Sequence, residues 1–417
     1  MLDYIKREIF GKLIDHLKEK EIALLIGPRQ AGKTTLLIKL DKYLKKQGKK
    51  TILFNLDFEE QKIYFNHQID LINYLNLQFD KKEAYIFIDE VQRLSNAGLF
   101  LKGLYDRNLP YKYIVSGSGS LELKEKIHES LVGRKRVFEI SPITFLEYIN
   151  YKTNYKIEKK INKFFLSDKV LPDRFLKEYL MFGGYPKTVL DTQFDKKKAT
   201  IQEIYQSYLE KDIQTLINID KKETFFRLVS ILSSQIGQLV NHAELSRTIG
   251  LDFETVKKYL WYLEKTFIVD KVTPFYSNLR KELSKTPVFY FTDLGLRNFV
   301  LNQWATFPNT VTNGFLFQNF IYLLLRLTKK FAGQKINFWR TKDDAEVDFV
   351  ITSGVETIPI EVKESELKDM TISKSLKNFI YRYQPKEVYL INKNLDKEIK
   401  LQNTRIIALP YWRLLLL

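Results

Sequence analysis

The sequence predicts an α/β fold built around a mostly parallel sheet, and three observations support this prediction. Five short apolar runs alternate with helical patterns over roughly the first 150 residues, as expected for parallel strands joined by helices. The first run leads through a glycine-rich turn directly into a helix, and the third run ends in two adjacent acids. Because parallel strands end at the same edge of a sheet, these two polar segments should lie close together.

Composition limits the class of protein. The chain has 417 residues, 45% of them hydrophobic and 14% aromatic, which is enough apolar material for more than one buried core. It has no cysteine and only 4 histidines, which excludes disulfides, thiol catalysis and cysteine-ligated zinc and favours a cytoplasmic location. No signal-like pattern is present and no apolar run reaches the roughly 18 residues of a spanning helix, so no membrane partner is predicted.

The net charge of +17 has two interpretations. It favours an anionic partner such as DNA. Alternatively, lysines spread over solvated faces account for it, since they form no single long block.

The predicted elements of the first part begin with an amphipathic helix over residues 1–20. Five strands follow, each bounded by polar or turn-forming residues and separated from the next by a helical pattern. They are predicted at Glu21–Ile26, Thr51–Leu56, Tyr85–Ile88, Tyr111–Val115 and Val137–Ile140.

The segment after the first strand has the glycine-first, glycine-lysine-threonine spacing of a phosphate-binding loop. The unpaired N–H groups and positive dipole end of a helix N-terminus suit a triphosphate, and glycines let the backbone approach it closely. We predict that Lys33 reaches the β and γ phosphates and that Thr34 binds Mg²⁺. A chance glycine-rich turn is the alternative, but strand, loop and helix all agree. The predicted nucleotide-binding residues are Gly27, Pro28, Arg29, Gln30, Ala31, Gly32, Lys33, Thr34 and Thr35.

The two acids that follow the third strand complete this prediction. Asp89 at the end of the strand is predicted to hold Mg²⁺ through its water shell, and Glu90 to polarise the attacking water. The guanine-reading Asn-Lys-x-Asp pattern is missing, because Asn392-Lys393 is followed two places on by Leu395. ATP and Mg²⁺ are therefore the predicted cofactors.

Two further residues are candidates for phosphoryl-transfer chemistry. The fourth strand runs into a Ser-Gly-Ser-Gly-Ser segment, in which Ser118 is predicted to contact the attacking water or the γ-phosphate; a small-residue turn is the alternative. Arg134, which follows Gly133, is predicted to stabilise the transferring phosphoryl group, in cis or from a neighbouring subunit of an oligomer. A surface arginine is the alternative.

The middle of the chain is helical. Helices are predicted at Phe175–Met181, ending at a Gly-Gly-Tyr-Pro turn, and at Lys197–Leu216, as a lid or spacer. Three helical pieces and an extended piece between residues 223 and 273 then have the layout of a winged helix. On a DNA-binding interpretation the third helix presents Thr255, Lys257 and Lys258 to a groove. Asp252 and Glu254 in its first turn oppose this, and winged helices also pack against protein partners.

The C-terminal part contains a hairpin with alternating charges. Its strands are predicted at Glu346–Ile351 and Ile358–Lys363, with period-two spacing that groups the acids on one face. If the register aligns them, Asp348 and Glu361 would clamp a second Mg²⁺ while Lys363 steadies a nucleophilic water. A hairpin with one solvated, charged face is the alternative.

Several motifs in this order resemble the prokaryotic AAA-type P-loop ATPases that carry a C-terminal domain of unknown function, the combination of AAA_14 and DUF4143. The resemblance covers nearly the whole chain. It is carried by the segments GPRQAGKTTL, IFIDEVQR, SGSGS followed by SLVGR, GGYP, YFTDLGLRN, GFLFQNF, WRTKDDAEVDFVI and IPIEVK.

The resemblance implies an AAA-like ATPase core, a helical and winged-helix segment and a restriction-endonuclease-like α/β domain. By it, Asp348, Glu361 and Lys363 match the Asp…Glu-x-Lys core of the nuclease-like fold. Gln318 stands where a glutamate is expected on the preceding helix, which removes a charge near the metal. The implied domains are residues 1–150, 151–220, 221–285 and 286–417.

Two functional hypotheses follow. The leading one is an ATP-hydrolysing, DNA-associated AAA-type enzyme whose terminal domain binds, or also cuts, nucleic acid. The alternative is a nucleotide-controlled switch or scaffold with a protein partner and a non-cleaving terminal domain, which Gln318 and the acidic start of the third helix favour.

Overall fold

The computed structural model describes residues 4–118, 130–208, 222–276, 286–304, 310–354 and 356–417. The chain forms two compact units. The first comprises residues 1–143, 185–217 and 261–268, and the second comprises residues 144–184, 218–260 and 269–417. These units group residues by contact and interleave along the sequence, so the four domain limits stay predictions.

The first unit contains a five-stranded parallel sheet in the order β2-β3-β4-β1-β5. The α/β core and its five strands are thus confirmed. The strands are β1 (Ile22–Gly27), β2 (Thr51–Asn55), β3 (Ala84–Asp89), β4 (Tyr111–Ser118) and β5 (Lys135–Glu139).

The described α-helices of both units are numbered in chain order. They are α1 (Ile9–His16), α2 (Lys33–Lys46), α3 (Glu59–Lys62), α4 (Gln68–Phe79), α5 (Ala97–Asp106), α6 (Phe145–Lys152), α7 (Ile161–Ser167), α8 (Val170–Phe182), α9 (Pro186–Leu190), α10 (Phe194–Tyr208), α11 (Lys222–Ser234), α12 (His242–Ile249), α13 (Phe253–Lys265), α14 (Leu294–Val300), α15 (Thr310–Leu327) and α16 (Lys374–Tyr383).

Helices cover both faces of the parallel sheet, which explains why its inner strands β1 and β3 are almost wholly apolar. Alternate residues of β1 enter different cores, because successive side chains of a strand point to opposite faces. Leu24 packs with residues of α4 and α5 on one face, and Leu25 packs with residues of α1 and α2 on the other. Strands β1 and β3 are therefore buried along their whole length, whereas β5 at the side of the sheet is partly exposed.

The predicted helix over residues 1–20 is wrong at its start. Helix α1 begins only at Ile9. Before it, Ile5 and Arg7 are buried while Lys6 and Glu8 are exposed, which is the alternation of an extended segment. Burial of Arg7 against other parts of the chain overrides the helical periodicity here.

The second unit contains a six-stranded mixed sheet in the order β12-β13-β11-β10-β9-β8 and a two-stranded ribbon of β6 with β7. Strands β9 and β10 form the predicted antiparallel hairpin. The strands are β6 (Val269–Val272), β7 (Val288–Phe291), β8 (Lys335–Arg340), β9 (Glu346–Ser353), β10 (Glu356–Val362), β11 (Glu387–Asn392), β12 (Lys397–Leu401) and β13 (Thr404–Pro410).

The three helices predicted between residues 223 and 267 are present as α11, α12 and α13. Asn241 caps α12 by accepting from two backbone N–H groups, and Gly250 ends it in the left-handed conformation. Asp252 accepts from the N–H of Thr255 at the start of α13 (2.9 Å). The element order matches the prediction, whereas assembly into a winged helix stays a prediction. Within the described residues, no helix combines the length and the apolar character needed to cross a membrane.

Candidate functional site

The loop between β1 and α2 turns sharply because two glycines permit it. A Cβ on Gly27 would lie 2.1 Å from the carbonyl oxygen of Ile140, so no other residue fits. Gly32 adopts the left-handed conformation (φ +96°) and immediately precedes α2. Gln30 is also left-handed (φ +58°), although it has a Cβ. The loop therefore has the bent backbone that a phosphate cradle needs.

Lys33 is the buried cation of this loop, with only 5% of its surface exposed. Its Nζ donates to the carbonyl oxygens of Gly27 (3.0 Å) and Pro28 (2.7 Å). The first bond within α2 runs from the N–H of Leu36 to Gly32. The preceding N–H groups at this helix start are hydrogen-bond donors available to an anion. Thr34 and Thr35 are exposed in this first turn.

Asp89 ends β3 at the same edge of the sheet and is almost completely buried (1% exposed). Its Oδ1 accepts from the hydroxyl of Ser116 on the neighbouring strand β4 and from the N–H of Glu90 (3.1 Å). Its Oδ2 is buried and receives no hydrogen bond from the residues that the structure describes. A buried carboxylate oxygen without a donor is costly unless a ligand or a cation completes it.

Glu90 follows in the left-handed conformation (φ +58°), which is uncommon for a residue with a Cβ. Burial raises the pKa of its carboxyl and the charge of Asp89 raises it further, whereas Lys33 and the hydrogen bond from Gln92 lower it. The effect of Lys33 on this pKa places the loop and the acids in one electrostatic site. We call Gly27–Thr35, Asp89, Glu90 and Ser116 the phosphate-loop site.

Ser118 and Arg134 have different placements. The backbone of Ser118 pairs with Gly27 at the end of β4, but its side chain lies outside the described residues, as do Gly119 and Ser120. Arg134 precedes β5, and its carbonyl accepts from the N–H of Ile22 at the start of β1 (2.9 Å). It therefore lies at the opposite sheet edge from the loop, about 16 Å away for a five-residue strand.

Arg134 is instead paired with Asp106 at the end of α5 (Nε to Oδ1, 2.7 Å). The structure does not bring it to the phosphate-loop site of its own chain, which corrects the expectation of a role in cis. Strand register explains the correction, since Arg134 enters β5 whereas the loop leaves β1. The role in trans stays a prediction.

Three residues in or next to the site were missed from the sequence. Ser116 belonged to the noted serine segment, and the register of β3 with β4, which places it beside Asp89, would have identified it. Gln92 donates to Glu90 from the following turn. Arg7 donates to the carbonyl of Ala31 (2.9 Å) from 24 residues away, for which the sequence carries no signal.

A second group of acids lies on the hairpin of the terminal sheet. The register pairs Phe349 with Ile360, so one step further along the ladder Asp348 lies opposite Glu361. Asp348 accepts from the Gln318 side-chain amide (2.6 Å, Oδ1) and from the N–H of Val362 (2.7 Å, Oδ2). Removal from water and the neighbouring acids raise the pKa of Asp348 to about 7.

Glu361 is also fully engaged. It forms an ion pair with Lys363 (2.6 Å, Oε1) and accepts from the hydroxyl of Ser373 (2.8 Å, Oε2). We call Asp348, Glu361, Lys363 and Gln318 the terminal carboxylate group. The structure brings these predicted residues together, but all four carboxylate oxygens already accept from protein donors. Among the described residues, no group of three or more His, Cys, Asp or Glu side chains is arranged to hold a metal ion.

The predicted DNA-reading residues of α13 are partly engaged on their own helix. The Thr255 hydroxyl donates to Asp252 (2.6 Å), and Lys257 pairs with Glu254 (3.2 Å) and lies over the ring of Phe253. Lys258 is exposed on the same helix.

Comparisons with protein families assign three parts of the chain. An AAA domain model matches residues 19–149, and domains of unknown function match residues 173–306 (DUF8612) and 313–414 (DUF4143). The first match contains the loop and both acids, and the last contains the whole terminal carboxylate group.

Two relatives match over most of the chain. An uncharacterized protein of Mycobacterium tuberculosis is 25% identical over 384 residues, which cover 91% of this chain and 78% of the relative. An uncharacterized protein of Methanocaldococcus jannaschii is 25% identical over 397 residues, covering 90% and 82%.

Two solved structures show partial likeness. AMPPCP-bound DnaA from Aquifex aeolicus gives a TM-score of 0.27 at 16% identity, over 63% of this chain and 90% of that chain. Cdc6p from Pyrobaculum aerophilum gives 0.28 at 13% identity, over 77% and 97%. These TM-scores are too low to support a fold assignment. The AAA assignment rests on the family models, the parallel sheet and the loop. The chain therefore combines an AAA domain with a C-terminal DUF4143 domain, as its motifs predicted.

Proposed function

We propose that the chain binds ATP together with Mg²⁺ and hydrolyses it. One observation carries the proposal: a buried lysine, the amides of a helix start and a buried carboxylate oxygen to which no described residue donates meet at one sheet edge. The lysine is Lys33, the amides belong to α2 and the oxygen is Oδ2 of Asp89. This donor and acceptor set fits a triphosphate with its cation.

Each residue has a role that its contacts support. When the nucleotide binds, the Nζ of Lys33 gives up its hydrogen bonds to the carbonyl oxygens of Gly27 and Pro28 and donates to phosphate oxygens instead. The phosphates reach it through the exposed start of the helix. The Ser116 hydroxyl donates to Oδ1 of Asp89, so Oδ2 is left to interact with the cation. Thr34 contributes its hydroxyl to the same cation. Mg²⁺, when bound, would supply positive charge against the β- and γ-phosphate oxygens.

Glu90 is proposed as the general base. It accepts the proton of a water whose oxygen attacks the γ-phosphorus as ADP leaves. The raised pKa makes it a stronger base than an ordinary glutamate, and Gln92 orients its carboxylate. Ser118 is proposed to contact the same water.

Calorimetric titration with ATP in Mg²⁺ and in EDTA, followed by phosphate-release kinetics, tests this function. We expect saturable binding that requires Mg²⁺ and measurable turnover, with GTP bound more weakly. Absence of Mg²⁺-dependent affinity for any nucleoside triphosphate would refute the proposal.

Arg134 is proposed to act from a neighbouring subunit, since its own sheet separates it from its own loop. Particle mass measured with and without nucleotide tests this. We expect nucleotide-dependent assembly, and we expect Arg134→Ala to lower turnover only at concentrations where the oligomer forms. An always monomeric active protein would contradict the role in trans.

DNA association is the second part of the proposal, and α16 supports it better than α13 does. Lys374, Lys377 and Arg382 are exposed on α16, and none forms an ion pair with a described carboxylate. Other cations of the same domain are paired, such as Lys386 with Glu356 and Lys397 with Asp369. Unpaired cations on one helix face are available to phosphates.

The surface beside this helix is concave. A cleft of about 520 Å³ separates α16 from the turn between β8 and β9, and Lys374, Asn378 and Arg382 line one wall. Asp343 and Asp344 stand on the other wall, and Arg340 neutralises Asp344 (2.9 Å). The exposed ring of Tyr381 on α16 offers a stacking surface for a base (54% exposed).

Salt dependence of binding tests this surface. Each phosphate contact that is removed lowers the slope of log K against log salt by about one. For the variant Lys374→Ala/Lys377→Ala/Arg382→Ala binding a DNA oligonucleotide, we expect the slope of log K against log salt to fall by about three. The matched control Lys386→Ala/Lys397→Ala/Arg405→Ala removes three ion-paired cations. Equal losses in both variants would contradict a specific role for α16.

A non-cleaving terminal domain is the alternative that one specific observation favours: all four oxygens of the terminal carboxylate group accept from protein donors. In this version the protein is a nucleotide-controlled switch or scaffold with a protein partner. We expect no Mg²⁺-dependent DNA cleavage by the wild type. Cleavage that is lost in Asp348→Ala would support the nuclease instead.

A further inference from the structure

The extended segment before α1 places a buried arginine against the phosphate loop. Arg7 is 7% exposed. Its Nη1 donates to the carbonyl oxygen of Ala31 (2.9 Å), the residue before Gly32. Its Nη2 donates to the carbonyl oxygens of Ser141 (2.6 Å) and Pro142 (3.4 Å) after β5. One guanidinium therefore joins the loop to a segment more than a hundred residues away.

The bond to Ala31 determines the orientation of one peptide group. In a planar trans peptide the carbonyl and the N–H of the next residue point in opposite directions. Since Arg7 holds the carbonyl of Ala31, the N–H of Gly32 must point away from Arg7. Gly32 is in the left-handed conformation, and rotation about its neighbouring bonds would be easy without a restraint.

The second anchor makes this restraint rigid. Ser141 and Pro142 directly follow Ile140, whose N–H donates to the carbonyl of Ile26 (2.7 Å). The carbonyl oxygen of Ile140 in turn lies against Gly27 at the start of the loop. The segment after β5 thus bounds the loop at its base directly and at its far end through Arg7.

We propose that Arg7 is a positioning residue for the nucleotide: it holds the Ala31–Gly32 peptide so that the Gly32 N–H faces a phosphate of a bound nucleoside di- or triphosphate. Arg7 itself does not touch the ligand. The inference rests on the proposed ATP binding and adds the extended N-terminal segment to the site.

The expected effect is on binding more than on chemistry. Loop amides cradle the α and β phosphates, which ADP and ATP share. Loss of the restraint should therefore lower the affinity for ADP and for ATP by the same factor. For one hydrogen bond to a charged group this factor is about tenfold or more. Turnover at saturating ATP should stay within about threefold, because Lys33 and Glu90 are unchanged.

Arg7→Ala and Arg7→Lys are the test variants; lysine keeps the charge but cannot span the loop and the segment after β5 with two nitrogens. Lys112→Met is the matched control. Lys112 is a buried cation that likewise donates to two backbone carbonyls, Glu19 (2.6 Å) and Glu21, at the opposite sheet edge. The measurements are Kd for ADP and ATP, the KM and kcat of hydrolysis, and Tm with and without nucleotide.

We expect all three variants to lower Tm without nucleotide, and only the two Arg7 variants to show a smaller nucleotide-induced rise in Tm than the wild type at the same nucleotide concentration. Unchanged Kd values in both Arg7 variants, with wild-type protein that binds ATP, would overturn the Arg7 assignment alone. An equal loss of affinity in Lys112→Met would overturn it as well, by showing a general stability effect. Wild-type protein without affinity for ATP would refute the proposed function and this inference with it.

Discussion

The phosphate-loop site and the terminal carboxylate group look alike in sequence and differ in the structure. Each combines a lysine with two acids on or next to the strands of a β-sheet. In the phosphate-loop site, Oδ2 of Asp89 is buried and receives no hydrogen bond from described residues. In the terminal carboxylate group, Gln318, the N–H of Val362, Lys363 and Ser373 supply a donor to every carboxylate oxygen.

The difference shows that residue type and proximity do not define an ionic site. A carboxylate that has all its donors gains little from a cation, because the cation must first displace them. A buried oxygen without a donor gains the full stabilisation. The phosphate-loop site is therefore arranged for a ligand, whereas the terminal carboxylate group is arranged to be stable without one.

The largest expected effect is that of Lys33→Ala. It removes the cation that the site presents to phosphates, so ATP affinity should fall at least about 100-fold and turnover should be undetectable. Calorimetry and phosphate release measure both. Lys46→Ala, an exposed lysine at the end of the same helix, is the control and should match the wild type. Unimpaired ATP binding in Lys33→Ala would contradict the conclusion that the phosphate-loop site, unlike the terminal carboxylate group, is arranged for a ligand.

Glu90→Gln should separate binding from chemistry. Turnover should fall about 100-fold or more, while ATP affinity should be kept or increased, because a general base contributes only to the reaction. Turnover equal to the wild type would exclude Glu90 as the base.

The pH dependence of the wild type sharpens this assignment. Burial raises the pKa of Glu90, and a base acts only when deprotonated. As the pH falls, kcat/KM should therefore begin to decline at a pH above the usual value of 4.5 for a glutamate, since kcat/KM reports the pKa of the free enzyme. Steady-state kinetics from pH 5 to 8 over a range of MgATP concentrations measure this decline. A flat profile down to pH 5 would contradict the raised pKa.

Gln318→Glu should make the terminal carboxylate group resemble the phosphate-loop site. The substitution replaces the donor to Asp348 by a third carboxylate, which costs stability without metal and creates a site for Mg²⁺ or Mn²⁺. With metal at 10 to 100 times its Kd and no nucleotide, we expect about 1–3 kcal/mol of stabilisation in the variant. Thermal unfolding measures this. Gln384→Glu, on the same domain, should show none, and an equal metal response in wild type would contradict the comparison.

The pH dependence of stability tests the terminal carboxylate group by itself. The folded pKa of Asp348 is raised to about 7 from the usual 3.8, so the folded state holds a proton that the unfolded state releases between these values. Its contribution to stability is therefore complete below about pH 4 and is lost as the pH rises toward 7. Asp348→Asn should flatten this decline.

Asparagine suits this position, because its oxygen accepts from Val362 and the Gln318 amide can rotate to accept from its nitrogen. Urea unfolding at pH 5 and pH 7.5 measures the difference between variant and wild type. The same slope in both proteins would show that Asp348 is not the group that titrates.

The elements that depend on local sequence were predicted well. The five strands of the first sheet, the loop and the terminal hairpin occur where their periodicity placed them, since each pattern is contained within a few consecutive residues. The exception is instructive. Residues 4–8 carry helical periodicity, but Arg7 is buried against distant carbonyls and the segment is extended. Local periodicity carries no information about such distant contacts.

For the site, the sequence was sufficient to name Lys33, Asp89 and Glu90, because the loop motif and an acidic strand end are contiguous and their chemistry follows from residue type. It did not show that Arg134 enters the sheet at the edge opposite the loop, nor that Ser116 bonds Asp89. Both facts depend on strand register. Whether a carboxylate has a free oxygen depends on donors that folding brings from elsewhere, as Gln318 and Ser373 show. Motifs thus determined which groups this protein has, and the three-dimensional packing of distant segments decided which of them remain available to a ligand.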